Sequence, residues 1–232
     1  MPTGWQIARI LRFLQEPGPN TPNALNYEIL SAFVLATALL SISPGPDIIY
    51  VLMQSIAHGK KYGLATTAGL MSGCLVHTSL LAFGVSALIK ENPGVYWMIK
   101  VFGALYLFYL AYRVFRSSGA ILLNGAEIPR KGLWRLFRQG FVMNVLNPKV
   151  TVFFLAFFPG FLFSDSLSLV LQFYLLGGLF IVVSSLVFSG IAILSGAISE
   201  QLRGRDYIGV VLKWLQVVVF TGIGLYLLLS EN

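Results

Sequence analysis

A helix-breaking stretch, Ser43-Pro44-Gly45-Pro46-Asp47, interrupts an apolar run that is otherwise long enough to cross a membrane. Ile29 to Ile42 precede it and Ile48 to Met53 follow, so the break is expected within the hydrocarbon layer rather than at its edge. Pro46 has no amide to return to Ile42, and Pro44 has none for Leu40. In lipid each freed carbonyl costs several kcal/mol unless protein, ion or water satisfies it, so irregular backbone survives there only beside a cavity or other protein. Discontinuous membrane helices of this kind commonly carry substrate sites. A plain proline kink is the bland alternative; Pro-Gly-Pro followed directly by an acid favours a functional break.

The rest of the chain has the composition of a bilayer protein. Of 232 residues 56% are hydrophobic and only 11% charged, with a mean hydropathy of +0.78. That excludes an ordinary soluble domain. Six apolar segments of about 20 residues or more can be marked, each able to span a core about 30 Å thick. They run roughly from Tyr27 to Met53, Gly63 to Leu88, Val95 to Phe115, Leu136 to Phe163, Leu167 to Leu194 and Ile208 to Leu229. The expected fold is an all-α membrane protein with discontinuous first and fourth spans. A single cysteine, Cys74, leaves no disulfide framework within the chain.

Net charge is +7, and the distribution of the cations points to orientation in a membrane, with no nucleic-acid partner. The first, third and fifth connections carry Lys60, Lys61, Arg113, Arg116, Arg130, Lys131, Arg135, Arg138, Arg203, Arg205 and Lys213. The other side carries Arg9, Arg12, Lys90 and Lys100, and Lys149 falls inside the membrane. By the positive-inside rule the odd connections are cytoplasmic and both termini are outside. Residues 1–24 place Ile7, Ile10, Leu11 and Leu14 at helical spacing and read either as an amphipathic interfacial extension or as a mis-assigned start; they are not a signal peptide.

In the second span Gly69, Gly73, His77 and Gly84 are spaced to share one face, which should meet a neighbouring helix closely. His77 is a candidate proton or path residue, with a backbone hydrogen bond made purely for packing as its alternative. Cys74 and His77 alone make a weak metal site, and no metal or cofactor is expected. Gly177, Gly178, Ser184, Ser185 and Ser189 of the fifth span read mostly as helix-packing glue, with a substrate role for one of them as the alternative. Residues 117–134 read as a cytoplasmic linker between a first repeat, 25–116, and a second, 135–232.

That division rests on a second interruption. Asn144-Val145-Leu146-Asn147-Pro148-Lys149 breaks the fourth span as Pro-Gly-Pro breaks the first, and Gly103-Ala104-Leu105-Tyr106-Leu107 is echoed by Gly224-Leu225-Tyr226-Leu227. Two halves of three spans each must be inverted with respect to the membrane, giving a 3+3 inverted repeat. Helix ends opposed at mid-depth offer unpaired amides to a carboxylate and unpaired carbonyls to a cation. The amides of Asp47 to Ile49 and of Lys149 to Thr151 are the expected anion seats. Asp47 is suited to an ammonium or a proton, and Lys149 to a carboxylate. The alternative is that Asp47 and Lys149 neutralise each other, or that Asp47 only caps a half-helix starting at Ile48.

Ser43-Pro44-Gly45-Pro46, then Gly140 with Asn144 and Asn147-Pro148-Lys149, within six short-looped spans, resemble the LysE/RhtB family of amino-acid exporters. The resemblance covers residues 25–230. It implies export of amino acids or close analogues across a bacterial inner membrane, driven by the proton or membrane-potential gradient, with an amino acid and the lipid bilayer as partners. A homo-oligomer is compatible with it. It carries over to Pro44, Gly45, Pro46, Asp47, Asn144, Asn147, Pro148 and Lys149 as substrate-binding positions. Two other classes stay open at this point: a divalent-cation transporter, which needs more oxygen ligands than Asp47 supplies, and a membrane-embedded enzyme, which needs a nucleophile with a base or paired acids.

Overall fold

The computed structural model describes residues 26–43, 45–87, 93–117, 129–197 and 206–229. The amino-terminal extension, Pro44 and most of the expected linker lie outside the described residues. The fold is all-helical, with no strand among the described residues. Its helices are α1 (Tyr27–Ile42), α2 (Pro46–His58), α3 (Lys60–Leu80), α4 (Pro93–Phe115), α5 (Leu133–Val145), α6 (Pro148–Phe157), α7 (Leu169–Ile193) and α8 (Asp206–Leu229). α3, α4 and α7 are each long and apolar enough to cross a bilayer. The pairs α1+α2 and α5+α6 reach that length only when each is counted as one span, bent by 59° and 52° respectively, and α8 adds an apolar stretch, Lys213–Leu229.

Both bends follow from proline chemistry. α2 opens with Pro46 and α6 with Pro148, each at the first helical position, where a missing amide costs nothing. A residue that precedes proline is pushed out of the helical region. Accordingly Gly45 (φ −154°, ψ 175°) and Asn147 (φ −78°, ψ 108°) are extended. The second half-helix therefore begins two residues earlier than Ile48, and Asp47 lies inside its first turn instead of capping it. α2 also runs past Met53 to His58, where Gly59 at φ 98° turns the chain directly into α3. Few residues other than glycine adopt that conformation.

α3 is the most enclosed long helix and packs against α2, α5 and α7. Its close approach to α5 depends on small residues. A methyl group at Gly69 would run into the Phe137 carbonyl, and one at Gly140 into the Thr66 carbonyl; one at Gly73 would stand 2.7 Å from Asn144 Oδ1. Gly84 does not share this face, contrary to its spacing. A π-helical turn at Leu81–Val85 adds a residue to the turn and rotates Gly84 into an exposed position with nothing around it. α6 is short and is held by a phenylalanine wedge. Phe153 stacks on Phe157 at 4.3 Å and Phe154 on Phe158 at 4.2 Å, while Phe33 of α1 and Phe180 of α7 close over them. Such ring pairs add about 0.5–1.5 kcal/mol beyond burial.

Contacts sort the connections into two ends. At one, Arg130 Nε donates to Tyr62 Oη at 2.8 Å, Lys213 Nζ donates to the Ser117 carbonyl at 2.7 Å, and Phe115 meets Trp214 edge to face. These link the three connections that carry the basic residues. At the other, Asn26 N donates to the Phe163 carbonyl at 3.1 Å, and Tyr226 Oη to the Gly160 carbonyl at 3.4 Å. Gln172 pins that end by accepting from the amides of Phe163 and Ser164 and donating to the carbonyls of Ser164 and Leu167.

Candidate functional site at the paired breaks

The two interruptions, 100 residues apart in sequence, meet in space. Asn147 Nδ2 donates to Asp47 Oδ2 at 2.8 Å, while its Oδ1 accepts from the Lys149 amide at 3.0 Å and caps α6. One side chain thus terminates its own half-helix and holds the acid of the other. A cavity of about 50 Å³ opens beside this bond, room for a few waters on the scale at which one needs about 10–15 Å³. Gly45, Pro46, Asp47, Asn144, Asn147 and Lys149 line it, together with hydroxyls from α1 and α7 and the rings of Phe180 and Phe188. Pro148 is not among the lining residues; it acts by starting α6.

Asp47 and Lys149 do not form an ion pair. Lys149 Nζ instead stands 5.1 Å over the Phe220 ring and 3.6 Å from where a side chain on Gly45 would begin. The two charges still act on each other through space, but the carboxylate is hydrogen-bonded by an amide, the ammonium stands over an aromatic face, and both flank the same cavity. The anion seats are also narrower than the sequence indicates. The Ile49 amide already bonds to the Gly45 carbonyl and the Thr151 amide to the Asn147 carbonyl, both at 3.0 Å. Helix geometry leaves only the second and third positions free after an N-terminal proline, and Asn147 takes that of Lys149. The amides of Asp47, Ile48 and Val150 remain.

His77 stands one layer behind the cavity wall. It is 5% exposed, its Nε2 lies 3.2 Å from the Asn144 carbonyl at the end of α5, and its ring faces Phe154. Cys74, which does line the cavity, points its thiol at Asn144 Oδ1 at 3.7 Å. The two residues thus support Asn144 from one side rather than converging on a common ligand. Among the described residues no three His, Cys, Asp or Glu side chains gather as a metal site would require.

Sequence reasoning missed the cavity hydroxyls. Ser41 and Ser184 bond to each other at 2.8 Å, and Ser43 Oγ is buried without a partner. Ser184 had read mostly as packing glue, because a pairing across 143 residues leaves no local signal. The position of Ser43 and Ser41 immediately before the break was the available clue.

An all-helical protein with two apolar helices broken at facing prolines, and acid, amide and ammonium groups around the cavity between them, has the architecture of a membrane transporter. Residues 38–231 match the family described as LysE type translocator, and the chain belongs to that family. It is 34% identical over 181 residues to the homoserine/homoserine lactone efflux protein of Salmonella typhimurium, a match covering 78% of this chain and 86% of the relative. The protein of the same name from Salmonella typhi aligns with the same identity and coverage. An uncharacterized membrane protein of Pseudomonas aeruginosa is 30% identical over 168 residues, 68% of this chain and 78% of that protein. No solved structure matches the chain.

Proposed function

We propose that the chain is a secondary transporter that exports small amino acids or close analogues from the bacterial cytoplasm, with the substrate seated between the two helix breaks. The observation that carries this reading is the bond from Asn147 to Asp47 beside the Lys149 ammonium. A zwitterion has one group for each: its ammonium goes to Asp47, and its carboxylate to Lys149 and the free amides at the two helix N-termini. Relatives named for homoserine and its lactone support a small, polar substrate. Charges at mid-membrane cost at least about 2.5–3.5 kcal/mol each on insertion scales, so keeping two that do not pair directly favours a functional role.

The architecture in this reading is six spans in a 3+3 inverted repeat, 25–116 and 135–232, joined by 117–134. Matching proline starts of α2 and α6, and the packing of α4 against α8, support it. The cavity is too small for an amino acid as it stands, so access requires one half to rock against the other. The basic end faces the cytoplasm and both termini the outside of the inner membrane, supported by the charge asymmetry and by the contacts joining the three basic connections. Export is driven by the proton or membrane-potential gradient. His77 serves by holding the end of α5 rather than by touching substrate, supported by its bond to the Asn144 carbonyl. The reading invokes no cofactor.

The test is a panel of amino-acid toxicity and efflux assays in cells with and without the protein. Faster efflux and greater resistance for one or a few small polar amino acids are expected. Indifference across the whole panel would refute the reading.

A further inference from the structure

We infer that Ser41, Ser43 and Ser184 form a subsite for a hydroxyl on the side chain of the exported amino acid. This rests on the exporter reading above and adds to it the residues that choose among substrates.

Thr37, Tyr50 and Thr67 hold buried hydroxyls without a partner outside the cavity wall, but many others satisfy their own helix. Away from the cavity, Ser55, Thr66, Ser72, Thr78 and Thr151 each donate back to the carbonyl four residues earlier, and so are spent on their own helix. Those lining the cavity behave otherwise. Ser41 in the last turn of α1 and Ser184 in the middle of α7 turn to each other at 2.8 Å, although both lie in helices where the backbone acceptor is within reach. Ser43 lies just beyond the end of α1 (φ −63°, ψ 115°), with its amide bonded to the Leu39 and Leu40 carbonyls. The residue is 1% exposed, and its buried hydroxyl has no partner. Among the described residues it is the one buried, unpartnered side-chain polar atom in the cavity wall.

A hydroxyl carries one donor and two acceptor positions, so a mutually bonded pair keeps one donor and several acceptors open. Together with Ser43 the wall therefore offers both kinds of bond to a group that can give and take one. Leaving a buried hydroxyl unpaired is costly, and an occupant that completes it recovers that cost. The two charged groups of a zwitterion are already accommodated by Asp47 and Lys149, and the remaining lining includes Leu40, Phe180 and Phe188. The serines are thus left for a third polar group, on the substrate's side chain. A site built to bond a hydroxyl discriminates strongly against the analogue that lacks it, because its own groups are then stranded.

The experiment compares initial efflux of homoserine and of 2-aminobutyrate, which has the same carbon skeleton without the hydroxyl, from proteoliposomes holding the full chain. Wild-type protein is expected to favour homoserine by at least about tenfold. The double variant Ser41→Ala/Ser184→Ala removes both partners at once and strands neither, and Ser43→Ala is an independent second probe. Each is expected to narrow the preference by about tenfold, through homoserine slowing more than 2-aminobutyrate. Ser72→Ala, whose hydroxyl serves only its own helix, is expected to leave the ratio alone. An unchanged ratio in both cavity variants, or equal wild-type rates for the two compounds, overturns the inference while leaving the exporter intact. Efflux of neither compound, in a panel where no amino acid moves, overturns both.

Discussion

The carboxylate of Asp47 accepts a hydrogen bond from the side-chain amide of Asn147 at 2.8 Å, joining the first turn of α2 to the cap of α6. Because Asn147 also caps α6 through its other amide atom, the position of the acid and the start of the second half-helix are set by the same side chain. In the proposed exporter, rocking of one half against the other would stretch this bond, which would make it both a latch and part of the site.

Replacing Asn147 with leucine is therefore expected to cost stability as well as export. Loss of the cap is worth about 1 kcal/mol, and a carboxylate left without its donor about 1–3 kcal/mol more. Unfolding in mixed detergent is expected to report a loss of about 2–4 kcal/mol. Asn147→Asp keeps a capping oxygen but removes the donor and sets two acids against each other, so both export and stability are expected to fall. Wild-type efflux by the leucine variant would remove the latch from the mechanism.

Close packing of α3 makes a separate prediction. Gly69→Ala and Gly140→Ala each drive a methyl into a backbone carbonyl of the neighbouring helix, and overpacking of this kind typically costs about 1–3 kcal/mol. Lower membrane abundance and earlier melting in detergent are expected for both. Gly178→Ala, with nothing within 4 Å of the new methyl, is expected to match wild type in the same assays.

How far the sequence discloses this arrangement depends on whether the cause is local. The breaks at Pro46 and Pro148 are legible because a missing amide acts within one turn, and the pairing of Gly69 and Gly73 with α5 because helical spacing survives along a regular stretch. Gly84 is misread where the π-helical turn changes the period, and nothing in Leu81–Val85 announces that change. The hydrogen-bond partner of Asp47 is not legible for a related reason. Charge alone nominates Lys149, whereas the fold brings in Asn147 and turns the lysine toward Phe220. Pairings between distant elements, Ser41 with Ser184 above all, are products of the packing and leave no mark on either segment.

The orientation gives a prediction independent of the site. With the connections at Tyr62, Ser117 and Arg130 gathered at the basic end, an alkaline phosphatase fused to the carboxy terminus is expected to be active and a cytoplasm-only fluorescent reporter there dark. The reverse pattern, in fusions that still export, would invert the proposed topology.

The most direct measurement is efflux from proteoliposomes containing Asp47→Asn, Lys149→Gln or both, read beside membrane abundance and melting. Each lost charge-assisted contact to a zwitterion is worth about 1.5–3 kcal/mol, so each single variant is expected to export about 10- to 150-fold more slowly. The double variant is expected to fold at normal abundance and still carry nothing, because the substrate's two charges have lost their seats. Full efflux by the double variant would contradict the account and leave binding to the backbone amides of the two half-helices alone.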